Sequence, residues 1–155
     1  KTTLFRLIRE GSLIRAVPKA NLGFFHQDLA GLDDNDTVLE SVMKNSIQKE
    51  GIARNILARL LFPARDINKS VRVLSGGEKI RLCFAQLFTS AANVLILDEP
   101  TNYLDIPSVE ALEKLFSEYE GTMLFASHDE AFVNAVATEQ LVISDYKIKP
   151  YPSHQ

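Results

Sequence analysis

The chain has 155 residues, 46% of them hydrophobic, and a formal net charge of −3. That size fits one domain with a real core. No apolar stretch approaches the roughly 20 residues needed to cross a bilayer, so membrane insertion is not expected. A lone cysteine, Cys83, excludes a disulfide framework and fits a reducing cytoplasm.

Lys1-Thr2-Thr3-Leu4-Phe5 leads into an amphipathic helix with Leu4, Leu7 and Ile8 on one side, which Gly11 is expected to end. Residues 12–17 and 21–26 read as short strands on either side of Pro18-Lys19-Ala20. Residues 28–73 read as mostly helical. Thr37 and Glu40 make a capping box for a helix presenting Val38, Leu39, Val42 and Met43. A second helix over about 49–62 carries Ile52, Ile56, Leu57, Leu60 and Leu61 at helical spacing until Pro63 stops it.

Charge is unevenly spread: residues 1–81 hold 14 Lys/Arg against 9 Asp/Glu, and residues 82–155 hold 3 against 11. Arg54, Arg59, Arg65, Lys69 and Arg72 fall in one segment. They make either a solvated helical face or a surface for an anionic partner such as RNA.

Ser75 and Glu78 form another capping box, for a helix running to about Thr89. Gly76 and Gly77 then sit in its first turn, where free N–H groups point outward. A strand over 94–97, a helix from about Pro107 to Tyr119 ended by Gly121, and a strand over 122–126 follow. A helix over 130–137 and a strand over 140–144 complete the order. Alternating short apolar strands and helices predict an α/β fold with a parallel sheet covered by helices.

The chemistry gathers in a few places. Val94-Leu95-Ile96-Leu97 ends in two adjacent carboxylates, Asp98 and Glu99. The first is suited to hold a metal through water, the second to take a proton from an attacking water. The Ser75-Gly76-Gly77 turn offers a hydroxyl and close-approaching N–H groups to a phosphate. His128 follows a strand, where an imidazole contact to a terminal phosphate is geometrically natural. Gln27 ends the extended run 23–27; His26 and His154 have no chemical company. No Cys/His cluster has metal-ligand spacing.

Residues 74–79 and 94–100, in this order, resemble the signature and catalytic strand of the ATP-binding cassette (ABC) ATPases. The resemblance implies a P-loop NTPase (RecA-like) fold: a mostly parallel sheet core over 1–27 and 74–155, with a helical subdomain inserted at 28–73. Lys1 and Thr2 resemble the end of the phosphate loop Gly-x-x-x-x-Gly-Lys-[Ser/Thr]. By that likeness Lys1, Thr2 and Thr3 contact nucleotide, while Thr2, Gln27 and Asp98 serve the Mg2+ of MgATP. The chain then reads as a single partial domain that begins inside its own phosphate loop. Ser75, Gly76, Gly77 and Glu78 would serve an ATP held by a second, opposing domain. Ser127-His128-Asp129 resembles the histidine switch, so Glu99, His128 and Gln27 form the expected catalytic group. Tyr151-Pro152-Ser153 resembles a closing edge strand, and Glu130 stands where many relatives have Arg.

Glu99-Pro100-Thr101-Asn102-Tyr103-Leu104-Asp105 resembles the loop of the ABC-F class, with Asp105 among the nucleotide-side residues. That class implies a cytoplasmic two-domain ATPase acting on the ribosome, in translation or in protection from antibiotics. Its partners would be the second nucleotide-binding domain and ribosomal RNA. The alternative is the ATPase subunit of a membrane transporter, from which the wording of 101–105 leans away. Without the glycine cradle, the isolated chain is expected to hydrolyse ATP poorly or not at all.

Overall fold

The computed structural model describes residues 2–11, 17–25, 29, 31–144 and 147–151. Three parallel strands, β1 (Leu22–Phe25), β2 (Val94–Asp98) and β3 (Thr122–Ala126), form a sheet in that order. Phe24 pairs with Ile96, Ile96 with Leu124, and Asp98 with Ala126. Because side chains alternate along a strand, each face collects its own set. Phe24, Val94, Ile96, Leu124 and Ala126 lie on one side. Phe25, Leu95, Leu97, Met123 and Phe125 lie on the other. A strand buried on both faces explains the unbroken apolar run before Asp98.

Helix α1 (Thr2–Arg9) covers the first side by laying Phe5 and Ile8 on Ile96, with Leu4 beside them. The buried contacts are Phe5 and Ile8, three residues apart on one helical face, while Leu7 is half-buried. Gly11, at φ +70°, supplies the left-handed residue that ends the helix.

The second side carries α2 (Val38–Met43), α3 (Glu50–Arg59), a 3-10 turn (Val71–Val73), α4 (Gly76–Thr89), α5 (Ile106–Ser117) and α6 (Glu130–Val136). Helix α4 lies at the centre, packed on α2, α3 and β1. A chain of rings crosses this core. Phe25 stacks on Phe84 at 4.3 Å, and Phe84, Phe116, Phe132 and Phe125 continue it edge to face at 5.5–5.8 Å. Each such pair adds about 0.5–1.5 kcal/mol beyond its buried area. The chain of rings therefore links β1, α4, α5, α6 and β3 into one core.

Several boundaries differ from expectation. Helix α3 ends at Arg59, not at Pro63. Leu61 takes φ +63°, Leu61 N donates to Ala58 O and Phe62 N to Leu57 O, the hydrogen bonds of a Schellman motif. Helix α5 is capped by Asp105 and begins at Ile106, with Pro107 in its first turn. Gly121 does not end it: a Cβ there would lie 2.6 Å from Asn93 O and 2.5 Å from the Tyr119 ring. Close approach, not a left-handed turn, requires that glycine.

Strand β4 (Leu141–Ser144) does not extend the parallel sheet. It pairs antiparallel with β5 (Lys147–Pro150) as a separate two-stranded sheet. The closing edge strand expected at 151–153 is thus displaced to β5, and Tyr151 only donates its N–H to Gln140 O, while 152–153 lie outside the described residues. The strand expected over 12–17 falls mostly on residues outside them as well.

Candidate nucleotide site

The carboxylate pair sits where β2 runs out. Asp98 still pairs with Ala126, which belongs to the α1-side cluster, so alternation turns Asp98 toward the face that α1 covers. Glu99 then leaves the strand with φ +49°, a left-handed conformation that is uncommon and costly for a residue other than glycine. Two backbone bonds hold it there: Glu99 N donates to Ala126 O at 2.8 Å, and Glu99 O accepts from Asn102 N at 3.2 Å.

This turn aims the Glu99 side chain at the end of β3. His128 N donates to Glu99 Oε2 at 3.1 Å, and His128 Nε2 lies 3.3 Å from Glu99 Oε1. The carboxylate is 16% exposed and the imidazole 82% exposed, so the pair presents one sheltered and one open group at the same sheet end. Ser127 Oγ accepts from Asp129 N, and Asp129 caps α6 by accepting from Phe132 N. The fold brings Glu99 and His128 together across a separation of 29 positions, as expected from both being strand-end residues on neighbouring strands.

The second group lies at the start of α4. Ser75 Oγ accepts from Glu78 N at 3.3 Å, and Ser75 N donates to Glu78 Oε2 at 2.8 Å. The Ser75 backbone N–H, then its hydroxyl, holds the Glu78 carboxyl below its ordinary pKa. Glu78 is therefore the reciprocal half of a cap in this structure. Around Gly76 nothing lies within 4 Å of where a Cβ would stand, while a Cβ on Gly77 would meet Tyr103 O at 3.5 Å. The signature turn and the 101–105 loop are thus neighbours. Tyr103, at φ +64°, is 81% exposed. Asp105 caps α5 by accepting from Ser108 N at 3.1 Å, and the Ser108 hydroxyl and N–H lower its pKa.

Thr2 and Thr3 open α1, whereas Lys1, His26, Gln27 and His154 lie outside the described residues. Among the described residues no group of three or more His, Cys, Asp and Glu is arranged to hold a metal. A hard cation such as Mg2+ asks less of a protein: one or two oxygen ligands, with phosphates and water completing the shell. The single carboxylate of Asp98 at the end of β2 fits that demand. Two features carried no sequence signal, the Ala126 carbonyl that fixes Glu99 and the left-handed backbone at Glu99 and Tyr103.

The family model described as ABC transporter matches residues 1–102. The chain belongs to this family. Among similar proteins, the probable ATP-binding protein YbiT of Escherichia coli O157:H7 is 40% identical over 96% of this chain and 28% of its own length. The ATP-binding protein Uup of Haemophilus influenzae is 40% identical over 90% of the chain and 23% of its own. ABC transporter F family member 5 of Arabidopsis thaliana is 35% identical over 97% and 23%. The chain thus spans about a quarter of the length of these relatives.

Solved structures agree on the fold of this ABC domain. RNase-L Inhibitor superposes with a TM-score of 0.74 at 23% identity, over 91% of this chain and 29% of that one. The dimeric ATP-binding cassette MJ0796 bound to ADP and Pi gives 0.69 at 18% identity, over 96% and 79%. Among the described residues, no helix of the ABC domain is long and apolar enough to cross a membrane.

Proposed function

We propose that this ABC domain supplies half of each of two ATP sites in a sandwich with a second such domain, and that Glu99 is the base for ATP hydrolysis. The observation that carries the chemistry is the Glu99 carboxylate held beside His128 at 3.1 and 3.3 Å on a strained backbone. In this reading Glu99 takes a proton from water as the water oxygen attacks the γ-phosphorus and the bond to the ADP oxygen breaks. His128 donates to the γ-phosphate, with Gln27 orienting the water. Lys1, Thr2 and Thr3 contact the phosphates. Thr2, Gln27 and Asp98 would hold Mg2+, which neutralises phosphate charge when bound.

Ser75, Gly76, Gly77, Glu78 and Asp105 belong to the face that meets the other domain's nucleotide. The open space at Gly76 supports this, because among the described residues nothing lies within 4 Å of where a Cβ would stand. The dimeric state of the MJ0796 cassette supports pairing of two such domains. The core is taken as 1–27 and 74–155 and the helical subdomain as 28–73.

The partner is the ribosome, in the manner of an ABC-F protein, in translation or antibiotic protection. The wording of 101–105 and the F-family relative support that class. The test is co-sedimentation with ribosomes in MgATP, using the full-length protein with Glu99→Gln and the matching change in its other domain. ATP-dependent pelleting is the expected result. Normal ATP binding without pelleting would move the assignment to another partner, such as a transporter's membrane subunit.

A further inference from the structure

Arg81 occupies a position that its place on the helix alone does not explain. It projects from α4 one turn after Gly77 and reaches a different element. Its Nη1 donates to Leu60 O at 3.0 Å and to Leu61 O at 3.4 Å. Those carbonyls are left over at the end of α3, where the helix dipole is negative. The guanidinium also lies 5.3 Å above the Phe62 ring. A cation on α4 therefore caps α3 from outside, at the very turn where Leu61 is left-handed.

Two further details show that this cap is held by position and not by saturation. Arg81 Nε is buried with no hydrogen-bond partner among the described residues, a costly state for such a donor. The same guanidinium acts electrostatically on Glu78, which closes the capping box, and on Asp105, which caps α5. One side chain of α4 thus reaches the end of α3. A lysine reproduces this only in part, because its ammonium can reach a carbonyl but has no plane to stack on the Phe62 ring.

We propose that Arg81 is a positioning residue: by capping α3 in trans, it fixes the direction in which α4 presents the Ser75–Gly77 turn to a nucleotide on the opposing domain. This rests on the sandwich reading above. It assigns Arg81 no contact with ATP.

The experiment uses the full-length protein in the Glu99→Gln background, measuring the ATP concentration needed for closure. Binding of a fluorescent ATP analogue to the open protein and the unfolding Tm are measured in parallel. Arg81→Met is expected to raise the ATP required for closure about tenfold or more, and Arg81→Lys by less, since one charged hydrogen bond is retained. Open-state binding should stay near that of Arg59→Lys, a control on α3, while Tm falls by only a few degrees, as for a lost cap. Equal losses of Tm, open-state binding and closure would make Arg81 merely structural and overturn the proposal. Closure unchanged in both Arg81 variants would overturn it too. Ser75→Arg, which fills the turn, separates the premise: normal closure in that variant sinks the sandwich reading itself, whatever Arg81 does.

Discussion

Glu99 shows how a single residue combines strain and chemistry. Its backbone is bent into the left-handed region by hydrogen bonds to Ala126 O and from Asn102 N, and the bend directs the carboxylate to His128. Glu99→Gln keeps an oxygen that accepts from His128 N. It is therefore expected to bind MgATP normally while single-turnover hydrolysis falls by about 10²–10⁴-fold, the usual contribution of a general base. Glycines make a second contrast at this scale. Gly76→Ala meets nothing within 4 Å, so urea unfolding should show stability unchanged or raised by up to about 1 kcal/mol, as for an alanine in a helix. Its ATP-driven closure should nonetheless weaken. Gly121→Ala pushes against the Asn93 carbonyl at 2.6 Å and should lose about 1–3 kcal/mol, the cost of overpacking. Stability lost in Gly76→Ala, with closure intact, would count against a nucleotide-facing turn.

Helix starts were legible because a capping box is a local, two-residue signal. Thr37 with Glu40 and Ser75 with Glu78 form both reciprocal bonds. Ends were less legible. Pro63 and Gly121 have the chemistry of stops, but α3 closes earlier on a left-handed Leu61, and Gly121 answers to Asn93 and Tyr119 instead. The strand at 141–144 was legible as a strand; its antiparallel partner was not, since alternation says nothing about which neighbour a strand takes. The boxes also make an acid-stability test. Glu40, Glu78 and Asp105 all have folded pKa values below their ordinary ones, Glu40 chiefly through the Thr37 N–H. A depressed carboxyl adds stability above its unfolded pKa, about 4 for these groups. That contribution is lost as pH falls through the folded value. Urea midpoints should therefore drop below about pH 4. Glu78→Gln keeps the box geometry but not the charge, so it should be less stable than the parent near neutrality, converge with it in acid and show a shallower acid slope. An unchanged slope would remove Glu78 from the linkage.

Across the whole molecule, the basic segment is where sequence counts mislead most. A count of Lys and Arg cannot say which charges are already answered, and the fold answers most of these. Arg54 pairs with Glu50 at 2.6 Å, Arg59 with Glu118 at 2.9 Å and Lys69 with Asp66 at 2.9 Å. Arg59 thereby joins the end of α3 to the end of α5, using an acid from the half of the chain that is rich in them. Arg65 differs: it is 86% exposed, and its 3.8 Å contact is to an Asp66 that Lys69 holds more closely. The two arginines should therefore respond differently to charge reversal. Arg59→Glu is expected to cost about 0.5–1 kcal/mol of stability, as a partly exposed pair does, with recovery in the Arg59→Glu/Glu118→Arg double variant. Arg65→Glu should leave stability unchanged, so any loss of ribosome affinity reports a lost anionic contact. That loss should come with a salt dependence shallower by about one unit in the log–log slope, as for one phosphate contact removed. If Arg65→Glu binds ribosomes like the parent at every salt concentration, Arg65 is a solvated surface charge, and an RNA contact must be sought on another part of the domain.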